Sequence, residues 1–324
     1  MAKRPSEFTL IAQVFAPLAT APEAFGLLDD AAVLPPRPGH DLVVTTDALV
    51  EGVHFLAGDP PDTIAKKALR VNLSDLAAKG AEAAGYLLAL SLPEHIDDAW
   101  IKTFARGLGE DQMAFGISLL GGDTTATPGP LTLAITALGY VPEGKMIHRG
   151  GAKAGDCVFV SGTIGDGGGG LAILNRENAP ANAQEREELI RRYRVPTPRL
   201  TLGRALRNVA TAALDVSDGL IADLAHIAEV SCVRIVIEAG RMPRSPALRA
   251  LWGDSLGALV RAATSGDDYE IAFTAQSENS VVEAAKHAGV AVTRIGRVET
   301  GSGIALLDSR GCQIGVPRPG FTHF

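Results

Sequence analysis

The 324-residue chain is predicted to be an α/β protein of two domains. Three observations lead there. Short runs rich in Val, Ile, Leu and Thr alternate with longer stretches of helical periodicity, the pattern of strands joined by helices. The length is about twice that of a typical domain of ~100 to 200 residues. A stretch rich in Gly, Pro and Lys, PEGKMIHRGGAKAG at 142–155, interrupts the chain near its middle. The expected domains are residues 1–143, built on a βαβ-type mixed sheet with helices, and 150–324, an α/β sandwich.

Strands are expected in the first domain at 42–46, 86–92, 117–120 and 131–140. The stretch DTIAKKALRVNLSDLAAKG at 62–80 opens on Asp62 as a helix N-cap, sets Ile64, Ala68, Leu69, Leu73, Leu76 and Ala77 along one stripe, and closes on Gly80. Residues 97–115 repeat the scheme. The second domain restarts with the strand CVFVSG and continues in helices and strands to about residue 307. There is no internal repeat or low-complexity tract.

Composition narrows the class. Apolar residues make up 46%, charged residues 21% and aromatics 5%, which suits a soluble α/β enzyme and is too apolar for disorder. The net charge of -7, without any block of Lys or Arg, argues against a nucleic-acid partner. Cys157, Cys232 and Cys312 lie far apart with no CxxC, so they are expected to be reduced, buried thiols of a cytoplasmic protein. No signal peptide is evident, and no apolar run approaches the ~20 residues that span a bilayer, so no membrane partner is expected.

The most conspicuous stretch, SGTIGDGGGGLAIL at 161–174, follows a strand and precedes the helical LAIL, the geometry of a phosphate cradle. It lacks the lysine of a P-loop and the GxGxxG spacing with a downstream acid. Small residues that let a helix start pack closely on its neighbours are the better reading.

Scattered acids carry more chemistry. Asp29 and Asp30 stand in LLDDAAV. Asp47 closes the expected strand LVVTTD beside the hydroxyls of Thr45 and Thr46. Asp75 lies close to the buried stripe of its helix. Asp123 follows LLGG, and Asp215 and Asp218 stand in ALDVSDGL. An isolated carboxylate among apolar neighbours is costly and is normally paired, hydrogen-bonded or metal-bound. Each alone could be a cap or turn former, Asp218 capping the helix SDGLIADLAHIA and Asp30 a turn. Capping does not explain why TTD, GGDTT and DVSDG all end apolar runs. Oxygen donors without paired His or Cys favour a hard cation, and magnesium prefers one or two carboxylates plus phosphate oxygens. Several converging carboxylates would hold more than one such ion, the constellation of phosphoryl transfer. Neither a Walker loop nor the protein-kinase motif set is present.

In order and spacing, LDDAAV, VTTDALVEGVHF, KALRVNLSDLAAKGA, LLGGDTT, RGGAKAGD, DVSDGLIADL, SGDDYEI and GFTHF resemble the thiamine-monophosphate kinase family, a branch of the aminoimidazole ribonucleotide synthetase superfamily. The resemblance runs from near the N-terminus to Phe324. It implies ATP-dependent phosphorylation of thiamine monophosphate to thiamine diphosphate, the last step of thiamine diphosphate biosynthesis, with several Mg2+ ions. It also implies a homodimer paired through the N-terminal domains.

Position by position, the resemblance implies a metal shell of Asp30, Thr45, Thr46, Asp47, Asp75, Asp123 and Asp215, with Asp218 on a further ion. Gly122, Asp123, Arg149 and Ser217 would contact ATP. His54, Glu270 and Phe321 would contact the thiamine phosphate. No general base is expected, because the acceptor phosphate oxygen is already anionic near neutral pH. Two departures stand out: Leu28 where the family usually has glycine, and Phe321 where it often has Trp or Tyr.

Other superfamily members fit less well. Selenophosphate synthetase needs a reactive Cys or selenocysteine near the N-terminus, and the first cysteine here is Cys157. The hydrogenase-maturation member needs a C-terminal cysteine where this chain reads FTHF. Aminoimidazole ribonucleotide synthetase itself fits SGDDYE and GFTHF less well. A non-catalytic nucleotide or thiamine-phosphate binder would not need an acid at every metal position.

Overall fold

Strands and helices alternate as expected in the computed structural model of the chain, which describes residues 6–177 and 182–322. The chain divides into two units. One runs to Leu76 and takes in Glu82–Gly144, and the other comprises Ala77–Ala81 and the chain from Lys145 onward. Each unit has a sheet of its own.

In the first unit a short helix α1 (Glu7–Leu10) precedes β1 (His40–Val50), α2 (Pro61–Ala78), β2 (Glu82–Leu92), α3 (Asp98–Phe115), β3 (Ser118–Ala126) and β4 (Thr132–Pro142). The strand order is β1-β4-β2-β3. Strands β2 and β3 run parallel through the α3 crossover, and β4 lies antiparallel to both β1 and β2. Helix α2 forms because its apolar residues recur at helical spacing: Ile64, Ala68, Leu69, Leu73 and Leu76 are all buried. Helix α3 opens on Asp97, whose carboxylate accepts from the Trp100 amide, and closes on left-handed Gly116.

Two local expectations shift. Asp62 is not the cap of α2 but lies in its first turn, the helix starting at Pro61, where the missing N–H costs nothing. The strands outrun their apolar cores. Asp47 pairs with Ile135 inside β1, and Asp123 with Ala89 inside β3, so both acids sit within strands rather than at their ends. Ladder pairing needs only backbone, and it continues through polar side chains wherever one face is open.

The second unit contains β5 (Cys157–Ser161), α4 (Asp166–Leu174), α5 (Ala183–Arg194), α6 (Leu200–Ala205), β6 (Ala210–Asp215), α7 (Leu220–Val230) and β7 (Arg234–Glu238). There follow α8 (Pro246–Trp252), α9 (Leu256–Thr264), β8 (Ile271–Ala275), α10 (Glu278–Ala288), β9 (Val292–Glu299) and β10 (Gly303–Leu307). The sheet order is β10-β7-β9-β5-β8-β6, antiparallel except for β10 with β7. Both faces are apolar, as a sandwich requires. Val158 and Val160 pack with Leu214, Leu224 and Ile235, while Phe159 between them packs with Phe273, Leu202 and Val281 on the other side.

The glycine run lies inside α4 rather than before it, because the helix already starts at Asp166. The cysteines are not uniformly buried. Cys157 is half-buried, but Cys232 and Cys312 are exposed, since each falls in a turn just beyond an element instead of within one. No helix among the described residues is long and apolar enough to cross a membrane.

Candidate functional site

Strand alternation sorts the acids of the first unit. Val43, Thr45, Asp47 and Leu49 share one face of β1, the face that meets α2, where Thr45 Oγ1 donates to Asp75 Oδ2 at 2.5 Å. Burial pushes the Asp47 carboxyl up to about 6, and the charge of Asp75 adds to the shift. Two carboxylates and a hydroxyl, held together at a cost to the ionised form, are an all-oxygen donor set whose charge a hard divalent cation would offset. That fits Mg2+, which takes few protein carboxylates and completes its shell with phosphate oxygens and water. Thr46 points the other way, donating to the Ile135 carbonyl at 3.1 Å and accepting from Thr136 Oγ1 at 3.1 Å.

A second group of acids belongs to a cavity of about 680 Å³ whose lining includes Asp29, Asp30, Gly122, Asp123, Leu87 and Leu138. The volume is within the range of small-molecule sites. Gly122 is required there by close approach, since a Cβ would fall on the Leu88 carbonyl of the neighbouring strand. The Leu28 departure is tolerated because Leu28 has φ -98°, where glycine has no advantage, while the left-handed conformation falls on Leu27. Asp47 and Asp123 sit on opposite edge strands, three inter-strand spacings or ~14 Å apart. Among the described residues, no three His, Cys, Asp or Glu side chains form one metal-sized group.

His54 follows β1 in a tight turn. Its Nδ1 accepts from the Val50 amide at 3.0 Å, which fixes the neutral ring in the tautomer protonated at Nε2. The buried Lys67 ammonium donates to the His54 carbonyl at 2.8 Å and anchors that turn from α2.

In the second unit, three motifs far apart in sequence meet. Asp215 ends β6 and is buried. Beyond it, the amides of Tyr269 and Asp267 donate to the carbonyls of Val216 and Ser217 at 2.8 and 2.9 Å, and the Phe321 amide donates to the Asp218 carbonyl at 2.9 Å. DVSDG, SGDDYE and the start of GFTHF are thus laced together, with the Phe321 ring half exposed; His323 and Phe324 lie outside the described residues. Asp218 does not cap α7. That work falls to Asp223, one turn into the helix, which accepts from the amides of Asp218 and Gly219 at 3.1 Å each. Burial, with the Asp218 charge adding, pushes Asp223 up to about 7. Arg149 is exposed, and the chain after it is tied to the end of α7 by the amides of Gly151 and Ala152 on Ser231 Oγ.

Glu270 is fully buried, its oxygens taken by Arg192 Nη2 at 2.8 Å, Arg199 Nε at 2.7 Å and Ser161 Oγ at 2.6 Å. The glycine-rich loop spends its amides internally: Gly165 and Gly167 donate to the buried Asp268 at 2.7 and 3.1 Å. A Cβ on Gly167 would meet the Asp267 carbonyl, and one on Gly170 the Leu189 carbonyl, so the run serves close packing.

Sequence reasoning passed over Lys67, Arg192, Arg199, Asp223 and Asp268. The charged pattern of EREELIRRYR looks like a solvated helix face and gives no sign that Arg192 turns inward. For Asp223 a signal existed: it is an acid on an otherwise apolar helix, SDGLIADLA.

The family described as AIR synthase related protein matches with its N-terminal domain over residues 28–141 and its C-terminal domain over 153–309. Thiamine-monophosphate kinase of Caulobacter vibrioides is 48% identical over 326 residues, covering 98% of this chain and 91% of the relative. The chain belongs to the thiamine-monophosphate kinase family. A crystal structure of thiamine-monophosphate kinase from Stenotrophomonas maltophilia superposes with a TM-score of 0.80 at 44% identity, covering 86% of this chain and 89% of that one. A structure described as AaThiL complexed with AMPPCP and TMP gives a TM-score of 0.78 at 30% identity, covering 98% and 94%. Thiamine-monophosphate kinases therefore match this chain through both of its units.

Proposed function

We propose that the protein transfers the γ-phosphoryl group of ATP to thiamine monophosphate, giving thiamine diphosphate and ADP. The observation that carries this reading is the family relative with AMPPCP, a non-hydrolysable ATP analogue, and TMP together, the donor and the acceptor of one reaction. An oxygen of the acceptor phosphate attacks the γ-phosphorus in line as the bond to the ADP oxygen breaks. No protein base is needed, since that oxygen carries no proton near neutral pH, and the chain's task is alignment and charge compensation.

Gly122, Asp123, Arg149 and Ser217 hold ATP. The Arg149 guanidinium offers a planar fork for phosphate oxygens. Asp30, Thr45, Thr46, Asp47, Asp75, Asp123, Asp215 and Asp218 hold Mg2+, which when bound neutralises charge on the phosphate oxygens. His54, Glu270 and Phe321 serve the thiamine phosphate. His54 presents a neutral Nε2–H, and Phe321 an aromatic face suited to a flat cationic ring. The protein works as a homodimer in the cytoplasm, where ATP is the co-substrate. The dimer reading rests on the exposed apolar face of the first sheet, which includes Leu42, Val44 and Leu87.

Incubation of the purified protein with ATP, Mg2+ and thiamine monophosphate is expected to give thiamine diphosphate and ADP in equal amounts. Production of AMP instead would exclude direct transfer of one phosphoryl group. Binding of both ligands without product would show a binder and not a kinase.

A further inference from the structure

The second unit buries more charge than its packing needs. Around Glu270 stand Arg192, buried, and Arg199, largely buried, with Asp166 and Asp268 completing the group. Asp166 is held by Thr163 Oγ1 and Ser245 Oγ, both at 2.6 Å, and faces Arg192 Nε at 3.7 Å. Two guanidiniums and three carboxylates in an interior contribute little net stability over apolar residues of the same volume, because desolvation opposes their attraction. What they supply is geometry.

The geometry they fix is that of the loop SGDDYE. Along it Asp268 and Glu270 are buried, while Asp267 and Tyr269 alternate with them, half-buried, at φ 66° and 51°. Two departures of non-glycine residues into the left-handed region, separated by a single residue, persist only where the surroundings over-determine them. Here the anchors are Asp268 on the amides of Gly165 and Gly167, and Glu270 on the two arginines and Ser161. The amides of Asp267 and Tyr269 are thereby aimed at the carbonyls of Ser217 and Val216, next to Asp215, Asp218 and the chain that carries Phe321.

We infer that Arg192 and Arg199 are positioning residues for the acceptor side of the reaction, acting through Glu270 on the loop that carries Asp267 and Tyr269. The inference rests on the kinase reading above and deepens it. Glu270 then serves the thiamine phosphate by holding this loop in register with Val216–Asp218.

The test compares Arg199→Met, Arg199→Lys and Glu270→Gln with the parent chain in steady-state kinetics, in calorimetric binding of thiamine monophosphate and in thermal melts. Arg199→Met is expected to weaken thiamine monophosphate binding and raise its KM about tenfold while the KM for ATP stays within about twofold, with Arg199→Lys recovering part of the loss. Arg244→Met, which breaks the pairing of another buried arginine with Asp254 in the same unit, is the control: it should lower Tm with neither KM changed. The inference is overturned if Arg199→Met moves both KM values alike, or lowers Tm with both KM values intact. Should Arg199→Met fail to fold, Glu270→Gln, isosteric with the native side chain, must show the same split or the inference fails. Absence of turnover by the parent chain would sink the kinase reading instead, and the binding measurement would still decide the role of the arginines.

Discussion

Asp47 stands on the helix-facing side of β1 between Thr45 and Leu49, and its carboxyl titrates at about 6 instead of its ordinary 3.8. Because the folded pKa is the higher one, this group favours folding below about pH 4, and the benefit is lost as pH rises toward 6. Above pH 6 the ionised group costs about 3 kcal/mol, at 1.36 kcal/mol per pKa unit. In chelator, Asp47→Asn is therefore expected to melt higher than the parent at pH 8 and no higher at pH 4, while turnover with ATP and Mg2+ is abolished. Magnesium should raise the parent's Tm at pH 8 more than the variant's. Near-normal activity of Asp47→Asn would remove Asp47 from the metal shell. The acids proposed to hold Mg2+ were legible one by one because each interrupts an apolar run. Their faces were not, because the side on which Thr45 and Thr46 emerge depends on strand pairing that continues to Val50.

The glycine-rich helix α4 gives a sharper distinction at the scale of an element. Its four glycines look alike in sequence, yet their neighbours differ. A Cβ on Gly167 would meet backbone of Asp267, within the loop held by Glu270, whereas the atoms nearest to one on Gly169 are side-chain carbons of Leu248, Leu189 and Leu251. Backbone cannot step aside without moving the loop, while leucines can change rotamer. Gly167→Ala is expected to raise the KM for thiamine monophosphate several-fold, and Gly169→Ala to leave kinetics near those of the parent and shift Tm by a few degrees, the scale of ~1 kcal/mol. Equal kinetics for the two variants would show that α4 does not set the loop. That these glycines pack was readable from the missing lysine and spacing of a P-loop. What they pack against was not, since it depends on contacts about 100 residues apart, as between Gly165 and Asp268.

At the scale of the molecule, two domains were evident from length and from the break at 142–155, but the short segment Ala77–Ala81, which groups with the second unit, was not. It ends a helix whose periodicity runs unbroken from the first unit, so no pattern marks the change. Periodicity also left the first sheet with an unresolved demand. On β1 Leu42 and Val44 are about half exposed, and on β2 Leu87 is 40% exposed, all on one sheet face, although apolar β-branched and leucine side chains in strands normally face a partner. A second copy of this chain on that face would bury them, and the same patch on each copy would meet across a two-fold axis. Val44→Lys tests this with little risk to the fold, because the side chain is 55% exposed and the β1 backbone stays paired to β4 through Leu138. Two like charges brought together at such an axis would oppose association. The parent is expected to sediment as a dimer and the variant as a monomer, with Tm lowered only by the loss of the partner and turnover reduced at least ~tenfold. A dimeric and fully active Val44→Lys would place the interface elsewhere, and a monomeric, fully active variant would show that one chain suffices for the reaction.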